Sequence, residues 1–292
     1  MTKNHEEHGF CDLLYEKSNF ERGAVTTLTL NRPSVTNALS IRLSDELARA
    51  IELVRADDET KVLVITGAGE NFCAGDDLTE MSAGAWGNAN DTMRRVRRYQ
   101  DMANALEELD KVTISAVRGY CVGGGLEITM ACDFVICEAS ARWGMPEVDW
   151  GITPGWGGTT RMARLIGRRM TKEVNMLGAL HSAKRGVELG LFNRVVADGE
   201  LDTETARLAQ LILLKNQQGL RQFKVMINRG VEADLSTAQG FELMSAGLTA
   251  AVLGRWQIPD ADGDHGWSAY RAGDRDNLIS RRRRASKDFW TD

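Results

Sequence analysis

Four short apolar runs, separated by segments of helical periodicity, constrain the fold of this chain more than any other feature of its sequence. The runs are Val25–Leu30, Val62–Thr66, Thr113–Val117 and Phe134–Cys137. Their length and their aliphatic, often β-branched composition are typical of strands. After Ser40, which suits a helix N-cap, apolar residues recur at helical spacing. Strands that alternate with helices in this way predict an α/β fold.

The pattern changes after about Val196, where the strand-like runs stop and three helical patterns follow. Their apolar positions are Leu208, Leu211 and Ile212, then Leu220, Phe223 and Ile227, then Phe241, Met244, Leu248 and Val252. The stretch from Pro259 to Asp292 is polar. We therefore predict a strand-and-helix core that carries the site over residues 1–197, and a helical C-terminal region with a polar tail over residues 198–292.

Composition and charge disfavour several classes of protein. The 292 residues are 43% apolar and 26% charged, and the net charge of −5 argues against nucleic acid as a partner. No run of about 18 apolar residues occurs and the polar start has no apolar signal core, so we expect no membrane partner and a cytoplasmic location. The five cysteines and four histidines show no metal-binding spacing. We therefore expect no metal site.

Glycine-rich segments surround two glutamates, Glu127 and Glu147, that are suited to proton transfer. Glu127 follows the run Gly123–Gly125 at the start of a helical pattern, and Glu147 precedes the turn-rich stretch Gly151–Gly158. Two carboxyls can move a proton on and off a substrate, and bare backbone N–H groups can stabilise a developing negative charge. The glycine run has a second interpretation, which is close packing of a helix against a strand.

A further glycine motif, Phe72–Leu78, follows the second strand-like run and reads Phe-Cys-Ala-Gly-Asp-Asp-Leu. It is either a plain strand–helix turn or an anion site built from N–H groups at a helix start. A dinucleotide site beginning at Gly67 is disfavoured, because its pattern requires glycine where Phe72 stands.

Arginine clusters also have two interpretations. One cluster lies between Arg94 and Arg98 and the other is Arg281–Arg284. They form either a solvated helix face and tail or a site for phosphate groups, for example those of a coenzyme.

Taken together, these segments resemble the crotonase superfamily of enoyl-CoA hydratases and isomerases. The resemblance extends from about Val25 to a helix that ends near Leu253. The segments that carry it are Leu30–Pro33 with Asn37–Leu39, Phe72–Leu78, Gly119–Asp133 and Gly144–Thr159. Each segment alone is a weak signal, but their occurrence in this order is specific.

The resemblance implies a spiral of repeated ββα units with a C-terminal helical trimerisation region, and hence a homotrimer or a dimer of trimers. It implies that the N–H groups of Ala74 and Gly124 form an oxyanion hole for the thioester oxygen of an acyl-CoA. It implies that Glu127 and Glu147 share a water and add it across a 2-enoyl-CoA double bond. It implies no metal or redox cofactor, and coenzyme A enters only as part of the substrate. Further substrate-binding positions that it implies are Cys73, Gly75, Asp76, Asp77, Leu78, Gly123, Pro154 and Trp156.

The presence of both glutamates favours a hydratase among the reactions of this superfamily. Its simple isomerases generally keep one of the two carboxylates, and its dienoyl isomerases have an aspartate where Gly155 stands. Its hydratase-lyases lack an acid at the position of Glu127, and its dehalogenases use a histidine base. Another reaction on an acyl-CoA is the alternative: isomerisation, retro-aldol cleavage, decarboxylation or thioester hydrolysis. A binding module that uses the arginine clusters on RNA is disfavoured by the acidic net charge and by the two glutamates.

Overall fold

The computed structural model describes residues 2–3 and 8–252 of the chain. The chain forms two compact units. The first ends at Ala206 and the second begins at Arg207. The strands are β1 (Thr2–Lys3), β2 (Leu13–Phe20), β3 (Gly23–Leu30), β4 (Thr60–Gly67), β5 (Val112–Val117), β6 (Tyr120–Val122), β7 (Phe134–Glu138), β8 (Arg142–Gly144), β9 (His181–Ser182) and β10 (Arg194–Val196). The α-helices are α1 (Ile41–Ala56), α2 (Leu78–Ser82), α3 (Ala89–Glu107), α4 (Gly124–Met130), α5 (Thr160–Leu177), α6 (Ala183–Leu189), α7 (Leu201–Leu213), α8 (Gln217–Gly230) and α9 (Leu235–Val252).

A seven-stranded sheet in the order β1-β2-β3-β4-β5-β7-β10 frames the first unit. The pairs β1–β2 and β2–β3 are antiparallel, and the remaining neighbours are parallel. The four predicted runs lie in β3, β4, β5 and β7, which are consecutive neighbours in the sheet. The carboxyl ends of these parallel strands share one edge, and such an edge is where open α/β sheets usually bind ligands.

A small sheet, β6-β8-β9, brings the two glutamate segments together. Strands β6 and β8 are parallel, with Val122 opposite Gly144. The register is continued by the N–H of Gly123, which donates to the carbonyl of Gly144 at 3.0 Å. Because β6 leads into Glu127 and β8 leads into Glu147, this pairing places the two segments side by side.

Helix α1 covers the main sheet and begins as the sequence predicts. The N–H of Leu43 donates to the Ser40 hydroxyl at 3.1 Å, so Ser40 is the N-cap. The apolar positions of this helix are completely buried: Leu43, Leu47, Ile51 and Val54. Strands β1, β2, β6, β8, β9 and β10 were not predicted. Apart from β2 they contain two or three residues each, which is too few for a periodic pattern to be recognised.

The second unit contains α8 and α9, which pack on one another. The Thr249 hydroxyl of α9 donates to the side-chain carbonyl of Gln222 in α8 at 2.9 Å. The arginine cluster Arg281–Arg284 lies outside the described residues. Within the described part of the chain, no helix is both long enough and apolar enough to cross a membrane.

Candidate active site

Glu127 lies one turn into helix α4 and is fixed by the turn-rich segment that follows Glu147. Its side chain is 1% exposed. The oxygen Oε1 accepts two backbone hydrogen bonds, from Trp156 N at 2.8 Å and from Gly158 N at 2.5 Å. The position of one carboxylate oxygen is therefore set by main-chain atoms, which have far less freedom than side chains.

Glycine at position 158 is required by this contact. A Cβ atom there would lie 2.9 Å from Glu127 Oε1 and 2.5 Å from the Cε of Met145. The backbone could not then approach the carboxylate closely. The turn-rich segment predicted from the sequence therefore holds the Glu127 carboxylate in place.

Glu147 lies in a short 3-10 helix, Pro146–Trp150, which ends at Gly151 in a left-handed conformation. Its Oε2 atom is buried and has no hydrogen-bond partner among the described residues. Its Oε1 atom would lie 2.8 Å from a Cβ added at Gly123, whose φ is 53°. Gly123 is thus required both by its backbone conformation and by the room that Glu147 needs.

A third carboxyl, that of Asp76, joins the two glutamates. Asp76 as a residue is partly exposed, but its Oδ1 atom is buried and unpartnered among the described residues. A Cβ added at Gly124 would lie 3.7 Å from that oxygen. The charges of Asp76 and Glu147 both act on Glu127, and that of Glu147 acts on Asp76. Asp76 was predicted as a substrate-binding residue, but no sequence signal indicated that its carboxyl joins the glutamate pair.

Burial and mutual repulsion keep these carboxyls from all being ionised at neutral pH. Burial raises the pKa of Glu127 to about 8; the hydrogen bond from Gly158 opposes the shift, and the charges of Glu147 and Asp76 add to it. Burial and the charge of Glu147 raise the pKa of Asp76 to about 7, while the nearby Trp156 indole lowers it. Burial also raises the pKa of Glu147. Such a group titrates as a coupled unit that holds both protonated and ionised members.

The backbone around Ala74 corrects one sequence-based prediction. The N–H of Ala74 donates to the carbonyl of Thr36 at 3.0 Å. This amide is committed to holding the loop together, so it is not free to bind a substrate oxygen. The prediction that Ala74 supplies an N–H to the oxyanion hole is therefore wrong for this structure.

The N–H of Asp76, two residues later, lies on the side of the loop that faces Gly124. Asp76 forms a parallel bridge with Leu39, in which Leu39 N donates to Gly75 O at 2.8 Å and Asp77 N donates to Leu39 O at 3.1 Å. The N–H of the central residue of such a bridge points away from its partner. On that side lies Gly124: a Cβ added there would be 3.8 Å from Asp76 N, and a Cβ added at Gly75 would be 3.2 Å from Gly124 N. The structure brings the amides of Asp76 and Gly124 together.

Gly125 agrees with the second interpretation of the glycine run, which is close packing. A Cβ at Gly125 would lie 2.7 Å from the Cβ of Cys73. Gly125 therefore serves close packing, whereas Gly123 accommodates Glu147 and Gly124 brings its amide to Asp76.

Other predicted substrate contacts have structural roles here. The Cys73 thiol is fully buried, and it donates to Asn37 O at 3.2 Å and accepts from Gly75 N at 3.3 Å. The Asp77 carboxylate caps helix α2 and pairs with Arg32 at 2.8 Å. Direct contact of these two side chains with a substrate has no support in the structure, because their polar atoms already have partners.

An aromatic wall flanks the carboxyls. Trp156 is 1% exposed, and its ring stacks on Tyr99 of helix α3 with centroids 4.2 Å apart. Tyr99 in turn meets Trp86 edge-on at 5.9 Å. The sequence predicted Trp156 as a pocket wall but missed Tyr99 and Trp86. Pro154 belongs to the same segment, and its Cβ would lie 2.8 Å from a Cβ added at Gly158.

Helix α3 also carries the arginine cluster that begins at Arg94. Arg94 and Arg97 are exposed and form ion pairs with Asp91 at 3.0 Å and Asp101 at 3.1 Å. This agrees with the interpretation of a solvated helix face for these two residues. Among residues 2–3 and 8–252, no group of three or more His, Cys, Asp or Glu side chains is arranged to hold a metal ion.

Sequence comparisons indicate the same chemistry as the site. The family model for enoyl-CoA hydratase/isomerase matches residues 21–252. A short-chain-enoyl-CoA hydratase of Clostridium acetobutylicum is 37% identical over 229 residues, which are 76% of this chain and 84% of the relative. A crotonyl-CoA hydratase of Syntrophomonas wolfei is 34% identical over 262 residues, which are 88% of this chain and 95% of the relative.

Structural comparisons confirm the predicted fold class. A crystal structure of an enoyl-CoA hydratase subunit from Geobacillus kaustophilus is similar with a TM-score of 0.80 and 30% identity, covering 90% of this chain and 96% of that one. An enoyl-CoA hydratase from Bacillus anthracis gives a TM-score of 0.79 at 30% identity, covering 90% and 97%. The α/β crotonase fold with helices at the C-terminus is thereby established.

Proposed function

The chain belongs to the enoyl-CoA hydratase/isomerase family and is an enoyl-CoA hydratase, and we propose that Glu127 and Glu147 carry out its proton transfers. The observation that carries this assignment is the position of the buried Glu127 and the half-buried Glu147 beside the amides of Asp76 and Gly124. A hydration needs one ionised and one protonated acid at the same substrate, and the coupled group supplies both forms.

The reaction follows from this arrangement. The ionised carboxyl takes a proton from water as the water oxygen bonds to C3 of a 2-enoyl-CoA. Electrons of the double bond move toward the thioester, whose oxygen becomes negative. The protonated carboxyl then gives its proton to C2, and the thioester is restored in a 3-hydroxyacyl-CoA. The two carboxyls have exchanged protonation states and regain them through solvent.

The negative thioester oxygen needs an oxyanion hole, for which we assign the N–H groups of Asp76 and Gly124. Their proximity and the commitment of the Ala74 N–H to Thr36 support this assignment. A preorganised donor of this kind contributes about 3–4 kcal/mol to transition-state stabilisation. Asp76 then has two roles, since its backbone N–H binds the oxyanion and the charge of its carboxyl raises the pKa of Glu127.

Isomerisation of the double bond is the second candidate. Asp76 supports it, because a third carboxyl beside the acyl group could exchange a proton with a carbon that the two glutamates do not serve. The two reactions differ in mass: hydration adds one water to the acyl-CoA, whereas isomerisation leaves the mass unchanged.

The proposed function extends to assembly and location. We propose a homotrimer or a dimer of trimers, supported by apolar side chains of the second unit that are exposed in the single chain. They include Phe223, Ile227, Leu235, Leu243 and Leu248. A cytoplasmic location is proposed from the sequence. Sedimentation of the purified protein would test the assembly, and a monomer would contradict it.

The decisive assay for the reaction uses crotonyl-CoA, since one relative is named a crotonyl-CoA hydratase. We expect the absorbance of the conjugated thioester to fall and the product mass to rise by one water. Glu147→Gln is the matched control and should abolish the change. Unchanged mass with a shifted double bond would favour isomerisation, and no reaction with crotonyl-CoA or longer 2-enoyl-CoAs would refute hydration.

A further inference from the structure

Two consecutive residues in the loop that precedes helix α1 adopt an unusual backbone conformation. Thr36 and Asn37 have φ values of 55° and 54°, and among the described residues they are the only ones other than glycine with a positive φ. Left-handed backbone is unfavourable for a residue with a Cβ, above all for a β-branched one such as threonine. It persists only where surrounding contacts enforce it, and such places cluster at functional sites.

The side chain of Asn37 holds this left-handed turn in place. Asn37 is fully buried, and its Oδ1 atom accepts from the N–H of Arg32 at 2.9 Å. Its Nδ2 atom donates to the carbonyls of Ala68 and Asn71 at 2.9 Å and 2.8 Å. The oxygen and both N–H groups of the amide are thus in use. They join the turn to the segment that follows strand β4.

The turn contacts the segment that carries the proposed oxyanion donor. The carbonyl of Thr36 accepts from the N–H of Ala74 at 3.0 Å. Leu39, two residues beyond Asn37, forms the parallel bridge with Asp76. Among the described residues, the backbone hydrogen bonds that leave residues 74–76 for other segments go to Thr36 and Leu39 alone. The position of these three residues therefore depends on the turn.

The bridge transmits the position of the turn to the Asp76 amide. Leu39 makes both backbone hydrogen bonds of the bridge, with Gly75 O at 2.8 Å and with Asp77 N at 3.1 Å. A residue paired in this way points its own N–H away from its partner. A displacement of Leu39 would therefore rotate the Asp76 N–H away from Gly124.

We propose that Asn37 is a positioning residue of the oxyanion hole. Its side chain fixes the left-handed turn, and the turn directs the Asp76 N–H through Leu39. The inference rests on the proposed hydratase function and its oxyanion hole, and it adds a residue that acts without touching the substrate. A donor to a developing negative charge is effective only when its direction is fixed before the reaction. The strained conformation of the turn is a cost of that fixed direction.

Asn37→Gly is the test variant. Glycine adopts a φ of 54° without strain, so the variant keeps the backbone conformation and loses only the side-chain hydrogen bonds. With crotonyl-CoA we expect kcat to fall by about 10- to 100-fold, because a displacement of about 1 Å has an effect of this size. KM should change by less than about threefold, since the oxyanion forms only in the reaction.

A bound chromophore reports on the oxyanion hole independently of turnover. The conjugated system of 4-(dimethylamino)cinnamoyl-CoA absorbs at longer wavelength when hydrogen bonds polarise its thioester oxygen. The unmodified protein should produce this shift on binding, and Asn37→Gly, saturated with the same compound, should lose most of it. A variant that is merely less stable would still give the full shift, because its folded form keeps both donors in place.

Asn193→Ala is the matched control. The Oδ1 atom of Asn193 likewise accepts from a backbone N–H, that of Val135 at 2.7 Å, but it does so in strand β7. The melting temperature of this variant should fall because the N–H loses its partner. Its kcat and its spectral shift should equal those of the unmodified protein. A normal kcat with a full shift in Asn37→Gly, or equal losses in Asn193→Ala, would overturn the positioning role.

Two further outcomes separate this inference from the proposed function. If the unmodified protein hydrates no 2-enoyl-CoA but shifts the absorption of the chromophore, the hydratase function fails, and the shift in Asn37→Gly still decides the positioning role. If the bound chromophore shows no shift in the unmodified protein, the oxyanion hole and the positioning role fail together. Should Asn37→Gly not fold, Asn37→Asp carries the test: it keeps the acceptor for Arg32, loses the donors to Ala68 and Asn71, and should lose part of the shift.

Discussion

The two glutamates of this enzyme are held in opposite ways. Glu127 is buried, and two backbone amides bind a single one of its oxygens. Glu147 lies on a short 3-10 helix, and its buried Oε2 atom has no partner among the described residues. One acid is thus positioned by main-chain donors, whereas the other has an oxygen without a partner among the described residues. A reaction that needs a fixed water and a mobile proton benefits from this division.

The largest effect is expected from removing either charge. Glu127→Gln and Glu147→Gln should each reduce kcat by about 10²- to 10⁴-fold with little change in KM, because each removes an acid–base group. The stability of the two variants extends the comparison. The amide side chain of Glu127→Gln still offers an acceptor oxygen to the N–H groups of Trp156 and Gly158, so the melting temperature of this variant should not fall. Steady-state kinetics and thermal unfolding of both variants check this. Near-normal hydration by both would show that neither residue is catalytic.

A methyl group added beside one of the two glutamates should displace that glutamate in particular. The Cβ of Gly158→Ala would lie 2.9 Å from Glu127 Oε1, and that of Gly123→Ala would lie 2.8 Å from Glu147 Oε1. A displacement of about 1 Å can reduce the rate by roughly 10²-fold, so both variants should lose kcat. Gly123→Ala should also lose stability, because its φ of 53° is unfavourable for alanine.

Gly199→Ala is the control for these two variants. Gly199 has a φ of 86°, but a Cβ there would meet no atom within 4 Å. The substitution should therefore reduce the melting temperature while leaving kcat unchanged. A kcat loss in Gly199→Ala as large as that in Gly123→Ala would remove the case for a contact with Glu147.

The pH dependence of stability should identify the buried acid. Burial raises the pKa of Glu127 to about 8 from a value near 4.5 in the unfolded chain. Between these values the folded protein holds a proton that the unfolded chain has lost, so raising the pH destabilises the fold. The free energy of unfolding falls by up to about 1.4 kcal/mol per pH unit, and the fall ends above the pKa that Glu127 has in the folded protein.

Glu127→Gln removes this proton and should flatten the dependence. Denaturant unfolding of both proteins between pH 5 and about 8 measures the difference. As the pH rises, we expect the free energy of unfolding of Glu127→Gln to increase relative to that of the unmodified protein. Parallel curves would mean that Glu127 is ionised in the folded protein at neutral pH.

Residue patterns were sufficient where the constraint is local. Buried parallel strands need continuous apolar runs, so β3, β4, β5 and β7 could be recognised from the sequence. The run Gly123–Gly125 could be recognised as a place where another group approaches the backbone closely, because three glycines at a helix start are otherwise costly. The spacing of the two glutamates within glycine segments was likewise visible without coordinates.

Non-local pairing accounts for what the sequence did not predict. The direction of the Asp76 N–H depends on a bridge to Leu39, which lies far away in the chain. Without that bridge, Ala74 and Asp76 are equally good candidates for an oxyanion donor. Similarly, Tyr99 belongs to a helix of charged residues, and only the stacking of its ring on Trp156 shows that it borders the site.

The smallest effect is expected from Arg161, which supports Glu127 indirectly through the backbone of Trp156. Arg161 donates to the carbonyl of Trp156 at 2.9 Å, and it anchors this segment to Glu107 and Asn104 of helix α3 at 2.8 Å and 2.7 Å. Arg161→Met should loosen the amides that hold Glu127 and reduce kcat by about three- to tenfold, because a single charged hydrogen-bond network is lost. KM should stay within twofold.

Arg164→Met is the matched control, since Arg164 lies nearly one turn further along helix α5 and donates to the carbonyl of Thr160 instead. Its kcat should be unchanged. A positioning role also predicts that the double variant Arg161→Met, Glu127→Gln is no slower than Glu127→Gln alone, since the contact that Arg161 supports no longer serves a functioning acid. A further loss in the double variant would show that Arg161 acts on another part of the site. If Arg161→Met changed KM but not kcat, the segment would hold the substrate rather than Glu127, and the contrast between the two glutamates would lie in their surroundings alone.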